Sequence, residues 1–167
     1  MQLMFDASNR TKLNFWANPK VREAATLALN REAIARAVMP GGKELYGVEA
    51  LCVADEVGCD VSTKVPAFNL ARAKALLAAA GYKGERVVVM DPTDLPLVHA
   101  ATLMTVQNLR AIGMNVEVQA VDWSTLSSRR PIKEHPDEKR GGWHVFHTTG
   151  PGIAQNNPLG NSVVPTP

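Results

Sequence analysis

The sequence predicts an α/β fold of three layers, on three observations. Arg86-Val87-Val88-Val89-Met90 has the composition of a strand buried on both faces. Residues 115–121 alternate Val116, Val118 and Ala120 with Glu117 and Gln119, as a half-exposed strand does. Between them, residues 95–112 carry apolar side chains at helical spacing. Strand, helix, strand, short helix, strand is the order of a sheet covered by helices on both faces.

The elements follow in order. Residues 2–5 read as a short strand, followed by a polar stretch and the aromatic pair Phe15-Trp16. Asn18 is a good N-cap and Pro19 suits the first helical position, where its missing N–H would be unpaired anyway. Val21, Ala25 and Ala28 recur on one face of that helix, and Asn30 caps a second over 31–39, stopped by Pro40-Gly41-Gly42. Residues 43–67 show no period and read as a long loop with at most a short strand. Asn69 caps the next helix, with Ala73, Leu76, Leu77 and Ala80 on its inner face and Gly81 as the left-handed stop. After the 86–90 strand, Asp91, Thr93 and Asp94 are expected to form the turn and N-cap of the 95–112 helix. That helix should bury Leu97, Ala101, Met104, Leu109 and Ile112. A short helix opens at Asp122 or Ser124, residues 129–140 form a charged, solvated excursion, and residues 143–147 are the last strand. Strand alternation points Trp143 and Phe146 to opposite faces, and likewise His144 and His147. The three tryptophans, Trp16, Trp123 and Trp143, suit core or interlobe packing. A single domain over 1–161 is expected, with 162–167 as a tail.

Composition excludes several classes. The 167 residues are 46% hydrophobic, enough for one domain with a real core. A net charge of +2 with no basic stripe interleaved with aromatics argues against nucleic acid. Residues 95–112 are broken by His99, Gln107, Asn108 and Arg110, which makes a membrane span a poor reading. Residues 1–6 have neither the basic start nor the apolar run of a secretory signal, as is also true of a mature exported chain.

No constellation points to catalysis, a metal or a cofactor. No serine sits in a nucleophile elbow, no cysteine pairs with a positioned base, and no spacing singles out a pair of carboxylates. Gly150-Pro151-Gly152 lacks the strand-to-helix context and lysine of a phosphate loop. His144 and His147, on opposite faces, make a poor joint metal site and read as structural. Cys52 and Cys59 either bridge in an oxidising compartment or stand as two separate thiols. Asp91, at the end of a buried strand, resembles the phosphoacceptor of receiver domains. The acidic pair and the strand-end lysine of that chemistry are missing, however: Asp6 is single and Lys133 lies in a polar stretch. A stand-alone signalling domain using Asp91, or an unrecognised small enzyme, are the alternative readings. Open α/β sheets bind ligands at the carboxyl ends of their strands, which places Met90, Asp91 and Thr93 beside any such site.

Two capped helices, opening Asn18-Pro19-Lys20-Val21-Arg22-Glu23 and Asn69-Leu70-Ala71-Arg72-Ala73-Lys74, stand at a telling order and separation. With Leu109-Arg110-Ala111-Ile112-Gly113-Met114-Asn115-Val116, Asp122-Trp123 and Gly142-Trp143-His144-Val145-Phe146-His147, the chain resembles the second lobe of family 5 extracellular solute-binding proteins. The likeness runs from about Phe15 to Asn161. It implies one α/β lobe of a type II periplasmic-binding-protein-like, or Venus-flytrap, receptor, in which solute is trapped between two lobes. It further implies a non-enzymatic role in an ABC importer, a periplasmic or extracellular location, and a membrane permease as partner. Peptide-binding members commonly place an aspartate after the last strand, where it pairs with the peptide's amino terminus. Here residues 148–158 hold no acid, so a free ammonium would lose a charge-assisted partner. The resemblance therefore implies a peptide-like or other small polar solute held through hydroxyls, amides or apolar surface. Thr148, Thr149, Gly150, Asn156 and Asn157 are its expected contacts.

Overall fold

A computed structural model describes residues 15–38, 62, 64–132, 134–136 and 141–149, together with the backbone of 2–5. Cys52, Cys59, Gly150, Asn156, Asn157 and the 162–167 tail lie outside the described residues.

Helix starts follow local chemistry closely. Asn18 caps α1 (Pro19–Ala28) by accepting from the Lys20 N–H, and the Asn30 side chain accepts from Ala33 at the head of α2 (Arg31–Val38). Asn69 accepts from Arg72 N–H at the head of α3 (Leu70–Ala79), beyond which Gly81 takes φ 75°. Asn69→Ala should lower the unfolding free energy by about 1 kcal/mol, measured by urea titration. An unchanged midpoint would show that packing alone holds α3.

Four strands form one sheet in the order β1 (Gln2–Phe5), β4 (Val145–Thr148), β2 (Arg86–Pro92), β3 (Asn115–Val121). β2 runs parallel to β3 and to β4, with Val89 opposite Val145 and Met90 opposite Phe146. β1 is antiparallel to β4, with Gln2 opposite Thr148. Val87, Val89 and Val145 face α4 (Pro96–Ala111), α1 and α3 in the largest core cluster. Val88, Met90 and Phe146 point the other way, onto Trp143 and onto Leu126 of α5 (Trp123–Arg129). Helices therefore cover both faces, and the expected α/β lobe of three layers is present.

Three expectations need correction. Trp143 and Phe146 share one face, their rings 4.8 Å apart and edge to face. Strand alternation fails there because β4 begins only at Val145, leaving Trp143 in the preceding segment. On α4, Leu97 is 54% exposed, while Val98, Thr102, Thr105 and Val106 are buried beside the expected Ala101, Leu109 and Ile112. The buried threonines are tolerated because their hydroxyls are satisfied, Thr102 by Val98 O and Thr105 by His147. Finally, Leu95 stands at the N-cap of α4 and no side chain caps it. β2 continues through Asp91 and Pro92, and this takes Asp91 away from the turn.

Candidate functional site

Because β2, β3 and β4 are parallel, their carboxyl ends lie along one edge of the sheet. β2 leads to α4 on one face, whereas β3 leads to α5 on the other. Divergent connections from neighbouring strands open a crevice at that edge in many α/β sheets. Here the gap is stitched. Thr93 N–H donates to Val121 O at 3.0 Å, and Asp94 Oδ1 accepts from Trp123 N–H at 2.8 Å. Asp94 thus serves the start of α5 rather than that of α4. Asp122 caps α5 as expected, accepting from the Thr125 N–H and hydroxyl, and those hydrogen bonds hold its carboxyl below the usual range. With the β2–β3 gap closed, the accessible part of the edge lies at Thr93, at Thr149 and around the first turn of α4.

The anticipated site residues divide by depth. Thr93 and Thr149 are exposed, Thr148 is buried at the end of β4, and Met90 lies wholly in the core beneath them. Asp91 is only 2% exposed, facing α4, with both carboxylate oxygens 2.9 Å from His99 Nδ1. A carboxylate so enclosed is badly placed to receive a phosphoryl group. Among the described residues, no group of three or more His, Cys, Asp or Glu side chains is placed to hold a metal ion.

On the neighbouring strand, His147 also faces α4, its Nε2 2.8 Å from Thr105 Oγ1. Burial pushes its pKa down from 6.5 to about 4, so the ring is neutral at neutral pH. His144 accepts the Val88 N–H through Nδ1 at 2.9 Å, while its own N–H donates to Val88 O. It splices the run before β4 to β2. Both histidines are built into the fold.

Sequence reasoning missed two residues at this edge, Leu97 and His99. Helical period assigns Leu97 to the core, and His99 reads in the sequence only as a polar break. Nothing in their spacing would have found them, because the extent of β2 and the rotation of α4 decide what reaches the edge.

Residues 4–154 match the family model described as bacterial extracellular solute-binding proteins, family 5 middle. A probable peptide ABC transporter periplasmic-binding protein of Sinorhizobium fredii is 31% identical over 135 residues, covering 77% of this chain and 24% of the relative. The crystal structure of the ABC transporter substrate-binding protein CtaP of Listeria monocytogenes superposes with a TM-score of 0.71 at 18% identity, covering 95% of this chain and 30% of that one. HbpA2 of Haemophilus parasuis gives a TM-score of 0.70 at 22% identity over 95% and 29%. At such identities the structural likenesses speak to the fold alone. The chain spans about a quarter of the length of the curated relative.

Proposed function

We infer a receptor lobe from one premise: this chain belongs to the bacterial extracellular solute-binding proteins, family 5, whose middle region its residues 4–154 match. It forms one of two lobes that hold a solute between them, in the substrate-binding component of an ABC importer. Its role is binding rather than catalysis, and the receptor works outside the cytoplasmic membrane, docking on a membrane permease. The alternative of a signalling domain using Asp91 is not favoured.

The family match carries this reading, and the topology supports it. Gln2 pairs with Thr148, so the polypeptide joins the sheet and leaves it at the edge that carries Thr93 and Thr149. A second lobe connected through those two crossings would face the same edge and close over it. Solute capture then follows from a shift between open and closed forms, with affinity set by contacts made only on closure. On this side the solute rests on Thr93 and Thr149 and on the following Gly150, Asn156 and Asn157, with Thr148, Met90 and Asp91 beneath. Hydroxyl, amide and apolar contacts predominate, which suits a peptide-like or other small polar solute lacking a free ammonium at this end.

The test uses the full-length receptor that contains this lobe. A thermal-shift screen of N-blocked peptides, sugars and polyols should find a class that raises its Tm by several degrees, whereas the 167-residue chain responds little to the same compounds. Equal affinity of the isolated chain and the full receptor would end the two-lobe reading.

A further inference from the structure

Within the lobe just proposed, the Asp91–His99 pair has the form of a preset recognition group. His99 stands in the first turn of α4, at the edge assigned above to the solute, with its side chain 36% exposed. Asp91 beneath it is buried, and its two oxygens lie equidistant from Nδ1, at 2.9 Å. A carboxylate only accepts, so the Nδ1 position carries the hydrogen, and in the tautomer this selects Nε2 is the acceptor. Among the described residues, Nε2 has no hydrogen-bonding partner. The same arrangement, a carboxylate fixing one ring nitrogen so that the other is aimed, orients many metal-binding and catalytic histidines.

An alternative use of the pair is purely structural, tying α4 to the end of β2. That purpose does not require a half-exposed ring at the sheet's carboxyl edge. The other two buried histidine tethers, His144 to Val88 and His147 to Thr105, are 2% and 4% exposed. His99 differs from them in that its side chain is partly exposed at that edge.

We propose that His99 contacts the solute, accepting through Nε2 a hydrogen bond from a hydroxyl or amide N–H of the ligand, with Asp91 as the residue that positions the ring. This rests on the solute-binding reading above. It adds a specific acceptor to an edge otherwise supplied with threonine hydroxyls, and it selects for a donor group at that place on the solute.

The experiment is long-range 1H–15N NMR of the histidine rings in the full-length receptor that contains this lobe, titrated separately with mannitol and with N-acetylglycinamide. The free receptor should show His99 as the Nδ1–H tautomer. At tens of millimolar, one of the two probes should move its Nε2 resonance toward the hydrogen-bonded range, while His144 and His147 stay still. Asp91→Asn should mix the tautomers and weaken the response, and His99→Phe should weaken probe binding roughly three- to ten-fold. The wild-type titration needs no variant to fold. If the Thr93, Thr148 and Thr149 amides respond while Nε2 does not, the role of His99 is refuted and the solute-binding edge stands. If nothing at this edge responds to either probe, both fall.

Discussion

Acidification should weaken this lobe by roughly 3 kcal/mol through His147 alone. The ring is 4% exposed, and burial holds its folded-state pKa near 4 instead of 6.5. Between those values the unfolded chain binds a proton that the folded chain refuses, so stability rises with pH across that window. The contribution is complete above about pH 6.5 and gone by about pH 4. Thr105 Oγ1 occupies Nε2, and burial leaves Nδ1 without a partner among the described residues. Asp91, on the adjacent strand and facing the same helix, is already committed to His99 and so offers the new charge little relief. Urea unfolding at pH 7 and pH 4.5 should show a large loss in the wild type and a clearly smaller one in His147→Gln. That variant keeps a polar group near Thr105 but cannot titrate in this range. Parallel losses in the two proteins would assign the acid sensitivity to other groups.

Gly142→Ala should be the most damaging glycine-to-alanine substitution among the described residues. A Cβ at that position would sit 1.8 Å from the backbone oxygen of Glu134 and 2.9 Å from its carbonyl carbon. Backbone cannot swing aside as the end of a side chain can, so either the 134–136 segment or the run into β4 must move. That run carries His144, whose backbone N–H and ring are both bonded to Val88, and Trp143, whose indole donates to Arg129 and Arg130 carbonyls. Displacing it disturbs the second core cluster, and a loss of about 3 kcal/mol or more is expected. Gly141→Ala is the matched control. Its φ is 64°, yet the nearest atom to a new Cβ is a flexible arginine nitrogen 3.8 Å away, so only backbone strain of about 1 kcal/mol should appear. Guanidinium unfolding of the two variants should rank them in that order. The reverse ranking would mean that the close approach at Gly142 relaxes freely.

The acceptor role proposed for His99 and the fate of His147 share one physical origin. Two strand ends place a carboxylate and an imidazole against the same helix. At one position the partner reaches the surface; at the other it does not.

How much of this was readable beforehand depends on the range of the interactions. The caps at Asn18, Asn30, Asn69 and Asp122 were legible because a cap is a contact over two or three residues. β2 and β3 were legible because burial on two faces, or on one, leaves a compositional trace. Thr93 and Asp94 form the expected turn, but the expected cap fails, since the Asp91 and Asp94 side chains find partners on other elements, 8 and 29 positions away. Trp143 and Phe146 were assigned opposite faces by an alternation that holds only inside a strand, and β4 starts two residues after Trp143.

The sequence by itself determined the α/β class, the order of elements, most helix starts and the family, because these depend on local propensity and on a pattern spread over most of the chain. Only the tertiary structure decided which side chains share the carboxyl edge of the sheet. Strand register and the rotation of α4 bury Asp91 and expose Leu97. They also bring His99 above a carboxylate, and contacts of this kind leave no periodic trace along the chain.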